Sequence, residues 1–150
     1  MSGYFHDRHR LGSFTGSLSE YIRHPYTGIE KLLVAHQRWS WYSRTVPTFL
    51  LQRYESFHTD VESSVTAMLD FLGIKVDPAA LAQSIEFARF ENMRRLETEG
   101  YFKSDAMRVA GSDPDARKVR EGRVGGYKEY MLDEDIAFVD SMIRQVGYPY

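Results

Sequence analysis

Residues Lys118 to Lys128 read Lys-Val-Arg-Glu-Gly-Arg-Val-Gly-Gly-Tyr-Lys, and we call this segment the basic loop. Glycine lets a backbone approach a ligand closely, and it accepts the positive φ at which successive N–H groups converge on an anion. Arginine adds planar, two-pronged recognition of phosphate. The pattern therefore predicts a loop around a phosphate. The alternative is an ordinary solvated basic loop, because short glycine motifs also occur by chance.

The composition of the whole chain is that of a globular protein. Its 150 residues are 43% apolar and 27% charged, and the net charge is −2 at pH 7. This balance predicts no general attraction to nucleic acid or to a membrane, so any anion site has to be local. The charge is uneven, since residues 101–128 hold seven Lys/Arg against four Asp/Glu, whereas residues 129–150 hold one against five.

Several classes of site and location are excluded by residues that the sequence lacks. It has no cysteine, which removes a disulfide framework and a thiolate zinc site. Its five histidines form no metal-binding motif, so no metal is expected. No apolar run approaches the roughly 20 residues of a membrane span, and no signal-peptide core is present. We therefore expect a cytoplasmic protein.

Helix signals recur along the chain after a lead-in of sixteen residues that we expect to be irregular. Ser17 to Glu20 and Thr59 to Glu62 have the spacing of a capping box, in which side chain and backbone at a helix start satisfy each other. Asp77-Pro78 is a second kind of helix start. Apolar spacing near 3.6 residues predicts further helices that begin near residues 29, 90 and 133.

One segment reads as a strand instead. Thr48 to Tyr54 is short and apolar in its middle, which is typical of a strand buried on both faces. A single strand leaves its backbone donors and acceptors without partners. The prediction is therefore an α/β chain, mostly helical with one or a few short parallel strands, that joins a sheet from another chain or from a larger domain.

Phe90 and Met93 form a second cluster of interest. An aromatic ring and a thioether three residues apart on a helix usually pack into a core. They are also suited to stack on a purine, because stacking of a base on an aromatic side chain is favourable for any base. The two interpretations remain open from these residues alone.

Four short motifs in a fixed order resemble the C-terminal half of the sulfotransferases that use 3′-phosphoadenosine 5′-phosphosulfate. The resemblance covers roughly residues 13–145, and its specificity comes from order and spacing rather than from one motif. The motifs are Arg53-Tyr54-Glu55, Phe71-Leu72-Gly73, Phe90-x-x-Met93 and Arg120-x-Gly122-x-x-Gly125-x-Tyr127-Lys128.

The resemblance implies a set of phosphate ligands. In that family the segment equivalent to the basic loop grips the 3′-phosphate of the nucleotide. Arg120 would then supply a side-chain contact, and Glu121 and Gly122 would offer backbone N–H groups. Ser2 would correspond to a serine that completes the same phosphate site.

The resemblance also implies an adenine site. Tyr54 stands where the family has a tyrosine near the adenine, and Phe90 and Met93 stand where the family packs a phenylalanine and a methionine on the ring. Two departures are visible. Glu121 replaces a cation of the family's motif, and Gly126-Tyr127 replaces Asp-Trp.

The family's N-terminal motifs are missing from these 150 residues. They are the loop that cradles the 5′-phosphosulfate, the catalytic base and an arginine of the 3′-phosphate site. We therefore expect residues 1–150 to be a partial sulfotransferase-like domain of a P-loop-like fold, inactive alone. Its complete form would transfer a sulfuryl group to a hydroxyl or amine of a small-molecule or glycan acceptor, with a complementing N-terminal chain or a homo-oligomer as partner. The alternative is a non-catalytic nucleotide-binding or helical protein-interaction module.

Overall fold

The computed structural model describes residues 1–104, 113–120 and 122–147, and most of these residues are helical. The predicted predominance of helix is confirmed. The α-helices in the described residues are α1 (Ser2–Phe5), α2 (Leu18–Arg23), α3 (Ile29–Thr45), α4 (Tyr54–Thr59), α5 (Val61–Phe71), α6 (Pro78–Phe87), α7 (Phe90–Thr98) and α8 (Asp133–Val146).

Three short turns of other helix types complete the described secondary structure. A π-helical turn, His6–Arg10, continues α1, so the irregular lead-in predicted for residues 1–16 is wrong over its first ten residues. Two 3₁₀ turns, Pro114–Ala116 and Gly126–Glu129, lie before and within the basic loop.

The predicted strand at residues 48–54 is wrong. Residues 48–53 carry no regular structure, and Tyr54 begins α4. No strand occurs in the part of the chain that the structure describes, so the expected short parallel strands are not seen there. The physical reason is that a strand needs a neighbour for its backbone hydrogen bonds, and no extended partner lies in the described residues.

Helix starts follow local side-chain hydrogen bonds. The Ser17 to Glu20 capping box is confirmed, since Glu20 N–H donates to Ser17 Oγ at 3.2 Å and Ser17 N–H donates to Glu20 Oε2 at 2.7 Å. The Asp77 cap of α6 is confirmed in the same way, with Pro78 in the first helical position. The predicted capping box at Thr59 is wrong, because Asp60 accepts the Ser63 N–H at 2.9 Å and caps α5 instead.

The described chain divides into two compact units. Unit 1 comprises residues 1–49 and 125–150, and unit 2 comprises residues 50–124. The core of unit 1 is aromatic, built on buried Tyr4, Phe5 and Tyr21. Their rings meet edge to face at 5.4 and 5.6 Å between centroids, which is the favoured geometry for aromatic pairs.

Helices α2, α3 and α8 pack together in unit 1 around a buried carboxylate. Asp135 is 1% exposed, and it accepts hydrogen bonds from Ser19 Oγ at 2.6 Å and from the guanidinium of Arg23. Arg23 in turn lies over the Phe138 ring, 4.7 Å from its centroid. These contacts connect α2 with α8.

Unit 2 is built from helices α4 to α7 and the segment that leads to residue 124. Helix α5 packs against both α4 and α6. Leu81, Leu96 and Ala116 are buried, and each comes from a different part of this unit. Among the described residues no helix is both long enough and apolar enough to cross a membrane.

Candidate functional site

Helix α7 carries both residues of the predicted adenine cluster in its first turn. Its N-cap is Arg89, whose carbonyl accepts the Met93 N–H at 2.9 Å. Phe90 and Met93 are each half-buried. Partly exposed rings and thioethers of this kind retain a surface on which a flat ligand can stack.

Gly122 of the basic loop lies directly against the Phe90 ring. Its φ is +60°, in the left-handed region that favours glycine. A Cβ built on this residue would lie 2.4 Å from Cδ2 and 2.7 Å from Cε2 of Phe90. Glycine is therefore required at this position for two reasons, which are the left-handed backbone conformation and the close approach of the Phe90 ring. This contact brings together two motifs that stand 32 residues apart in the sequence.

A second contact holds the start of the basic loop on the same helix. Glu97, in the last turn of α7, is 1% exposed. Its Oε1 accepts the Lys118 N–H at 2.7 Å, and its Oε2 accepts the Val119 N–H at 3.0 Å. Sequence reasoning missed this residue, since a glutamate in a charged helix reads as solvated. The sequence gives one indication, since Glu97 follows Phe90 by seven residues and the two therefore lie on one face of a helix.

Arg120 lies between these two contacts. Its side chain is 16% exposed, and its Nη1 is 4.0 Å from Oδ1 of Asp115. That distance is too long for a hydrogen bond, so the attraction is weak. Asp115 belongs to the Pro114–Ala116 turn, whose first N–H groups are satisfied in part by Asp113, which accepts the Asp115 N–H at 2.9 Å.

Tyr54 is the first residue of α4 and is 55% exposed. Its ring packs edge to face on His58 of the same helix, with 4.6 Å between centroids. Tyr54 and the Phe90–Gly122 pair therefore share unit 2, but the recorded ring contact of Tyr54 lies within its own helix. Its role near an adenine remains a prediction.

Two further predicted ligands stand apart from this cluster. Ser2 is exposed, begins α1 and belongs to unit 1. Glu121 lies outside the described residues. The assignment of both to a phosphate site remains a prediction.

An open groove runs along α7 beside Phe90. Its volume is about 510 Å³, within the usual range for small-ligand sites. Arg95 is engaged there, donating to Glu99 at 2.6 Å and to Asn92 at 2.8 Å. The groove is lined by Phe90, Glu91, Arg94, Arg95, Thr98 and Glu99.

In a comparison with protein families, residues 9–147 match the Sulfotransferase domain. The chain belongs to this family. The family resemblance inferred from the four sequence motifs is thereby confirmed. Comparisons with curated proteins and with solved structures find no match.

Membership in the sulfotransferase-domain family gives the cluster a chemical context. Sulfuryl transfer uses an anionic donor, and the basic loop carries Lys118, Arg120 and Arg123 in a segment that contacts Phe90 of α7 through Gly122. The arrangement can hold a flat ring against Phe90 while cations face an anion. Glu97 is not placed to deprotonate an acceptor, since it is buried and engaged by two backbone N–H groups.

Proposed function

We propose that this chain forms the 3′-phosphate and adenine side of a sulfuryl-donor site for 3′-phosphoadenosine 5′-phosphosulfate. The single observation that carries the proposal is the packing of Gly122 on the Phe90 ring. It joins the basic loop to the adenine motif within a sulfotransferase-domain chain. A ligand that carries both a base and a phosphate would span these two motifs.

The proposed roles follow from the chemistry of each side chain. Phe90 and Met93 offer a half-buried apolar surface for the base, and such stacking contributes about 1–3 kcal/mol per base. Arg120 offers a planar, charged side chain that can bind the 3′-phosphate through two parallel hydrogen bonds.

The reaction of the complete protein would be an in-line sulfuryl transfer. The acceptor oxygen or nitrogen attacks sulfur, the bond from sulfur to the bridging oxygen of the donor breaks, and a base takes the acceptor's proton. That chemistry needs a general base and cations at the leaving oxygen. The sequence contains no recognisable motif for either, so we propose that other residues supply them and that these 150 residues alone bind the nucleotide without turnover.

Calorimetric titration of the 150-residue chain tests the binding site. We expect it to bind 3′-phosphoadenosine 5′-phosphate more tightly than adenosine 5′-phosphate, which lacks the 3′-phosphate. Arg120→Ala should remove about 1.5–3 kcal/mol of the binding free energy of the first nucleotide, because one charge-assisted contact is lost. It should leave the affinity for the second nucleotide unchanged.

Arg144→Ala is the matched control, since Arg144 is an exposed arginine in the last turn of α8 in unit 1. Equal affinity for the two nucleotides in the unmodified chain would contradict the proposed 3′-phosphate site. Sulfuryl transfer above background to any member of a panel of hydroxyl and amine acceptors would contradict the absence of turnover.

A protein-interaction module is the second candidate, and one surface of α3 favours it. Leu32, Trp39 and Tyr42 follow one another at spacings of seven and three residues, and their exposed fractions run from 45% to 56%. This spacing places them on one face of the helix. A complementing chain that carries the missing sulfotransferase motifs would cover such a face. Absence of any heat with either nucleotide at millimolar concentration would favour this candidate.

A further inference from the structure

Glu97 is the most deeply buried side chain of unit 2, and an acid in that position needs an explanation. Its exposure is 1%, and burial of an ionised carboxylate is unfavourable unless its oxygens are hydrogen-bonded. The Lys118 and Val119 N–H groups satisfy one oxygen each, at 2.7 and 3.0 Å. Two consecutive backbone donors thus bind an internal carboxylate in the way that a loop binds an anion.

The contact has a counterpart seven residues earlier on α7. Phe90 and Glu97 lie on the same face of the helix, about 10 Å apart along its axis at 1.5 Å per residue. Phe90 contacts Gly122, and Glu97 binds the segment Lys118 to Val119. One helix face therefore holds the basic loop at two points.

Arg120 lies within the short piece of chain between these two points. Three residue steps separate Val119 from Gly122, and three steps of chain reach at most about 10 Å. The backbone position of Arg120 is therefore restrained by Glu97, through Lys118 and Val119, on one side and by the contact of Phe90 with Gly122 on the other.

We propose that Glu97 is a positioning residue for the 3′-phosphate: it fixes the start of the basic loop so that Arg120 meets that group in one orientation. This inference rests on the proposed function of the same site. Glu97 itself touches no ligand, because its two oxygens are engaged by Lys118 and Val119. Its effect is confined to the contribution that the 3′-phosphate makes to binding.

Glu97→Gln tests the inference in the full chain, because it keeps the size of the side chain and replaces one acceptor oxygen by an NH₂ that faces an N–H donor. We expect affinity for 3′-phosphoadenosine 5′-phosphate to fall about tenfold or more, the equivalent of one lost hydrogen bond to a charged group. Affinity for adenosine 5′-phosphate should stay within a factor of about two, since no lost contact concerns it. If Glu97 had only a structural role, Glu97→Gln would lower the affinity for both nucleotides by the same factor.

Glu62→Gln on α5 is the matched control, because it makes the same change at an exposed glutamate of the same unit. Hydrogen exchange provides a readout that needs no nucleotide. The amides of Lys118 and Val119 should exchange faster in Glu97→Gln than in the unmodified chain, while those in the middle of α5 should not change.

The outcomes separate this inference from the proposed function. If Arg120→Ala loses the preference for the 3′-phosphate and Glu97→Gln keeps it, the site stands and the positioning role is wrong. If the unmodified chain has no such preference, both are wrong, although faster exchange at Lys118 and Val119 would still identify Glu97 as the residue that holds the loop. Glu97→Asp is a second variant that keeps the charge. If it and Glu97→Gln both fail to fold, Glu97 serves the fold and the positioning role is wrong.

Discussion

Asp135 in unit 1 and Glu97 in unit 2 are both carboxylates with 1% exposure, but they are satisfied by different partners. Asp135 accepts from two side chains, Ser19 Oγ and the Arg23 guanidinium, and therefore pairs with a cation. Glu97 accepts from two backbone N–H groups. The first joins two helices through an ion pair, and the second holds a loop through the backbone of that loop.

The difference suggests a division of labour between the two units. A buried ion pair is destabilising to break, because removal of one partner leaves the other charge without compensation. A carboxylate bound to backbone N–H groups makes its contacts with the main chain of the segment instead. We therefore expect changes at Asp135 to act mainly on stability and changes around Glu97 to act mainly on binding.

The largest effect on the free energy of unfolding alone is expected at Asp135. Asp135→Ala should lower the free energy of unfolding by about 2–3 kcal/mol, somewhat less than the roughly 3–5 kcal/mol for a fully buried pair. The reduction arises because the Arg23 side chain is 38% exposed and can recover hydration. Urea unfolding followed by circular dichroism measures it. Asp140→Ala changes an exposed residue of the same helix and should lower the free energy of unfolding by less than about 0.5 kcal/mol. Equal losses in the two variants would contradict the stabilising role assigned to Asp135.

The next largest effect is expected at the contact between the basic loop and Phe90. Gly122→Ala puts a Cβ 2.4 Å from the ring at a φ of +60°. Strain in the left-handed region and overpacking together should cost about 2–4 kcal/mol, shared between stability and nucleotide affinity. Unfolding and calorimetric titration measure the two parts.

Gly125→Ala is the control for this change. Its φ is +77°, but a Cβ there meets no atom of the described residues within 4 Å. It should show the left-handed strain alone, about 1–2 kcal/mol. If the two alanine variants lose the same stability and affinity, the contact between Gly122 and Phe90 contributes nothing beyond backbone conformation. The inference that Phe90 holds the basic loop is then wrong.

The helix caps illustrate what local sequence can predict. The Ser17 to Glu20 box and the Asp77 cap were predicted because donor and acceptor lie within three residues of each other. The cap of α5 was predicted one residue early, at Thr59, because Asp60 competes for the same N–H groups and accepts the Ser63 N–H. Local sequence therefore predicts the hydrogen bonds at a helix start to within about one residue.

Long-range features were less accessible to prediction. The strand predicted at residues 48–54 requires neighbouring strands elsewhere in the chain. The apolar residues of this segment do not show whether such strands exist. Glu97 lies 21 residues from Lys118, so its burial depends on where a later loop returns. The Phe90–Gly122 pair was anticipated only through the order of the family's motifs, not through any property of either residue.

The smallest expected effect is a dependence of the stability of unit 1 on acid. Burial raises the pKa of Asp135, but hydrogen bonds from Ser19, from the Arg23 guanidinium and from the Leu132 N–H, together with the charge of Arg23, outweigh burial and lower that pKa below its ordinary 3.8. A carboxyl group with a lowered pKa in the folded state binds fewer protons there than when unfolded. Its contribution to stability is therefore present above pH 3.8 and is lost as the pH falls through the folded-state pKa.

Asp135→Asn removes this titration and keeps the size of the side chain. Its free energy of unfolding should lie below that of the unmodified chain at pH 7, and the two values should converge as the pH falls below 3.8 through the folded-state pKa, where the native carboxyl group also becomes protonated. Urea unfolding at a series of pH values measures the convergence, with Asp140→Asn, the same change at an exposed residue of α8, as the control. If the free energies of unfolding of Asp135→Asn and of the unmodified chain stay parallel over this pH range, the ion pair with Arg23 does not lower the pKa of Asp135. The buried carboxylates of Asp135 and Glu97 would then differ only in the geometry of their hydrogen bonds.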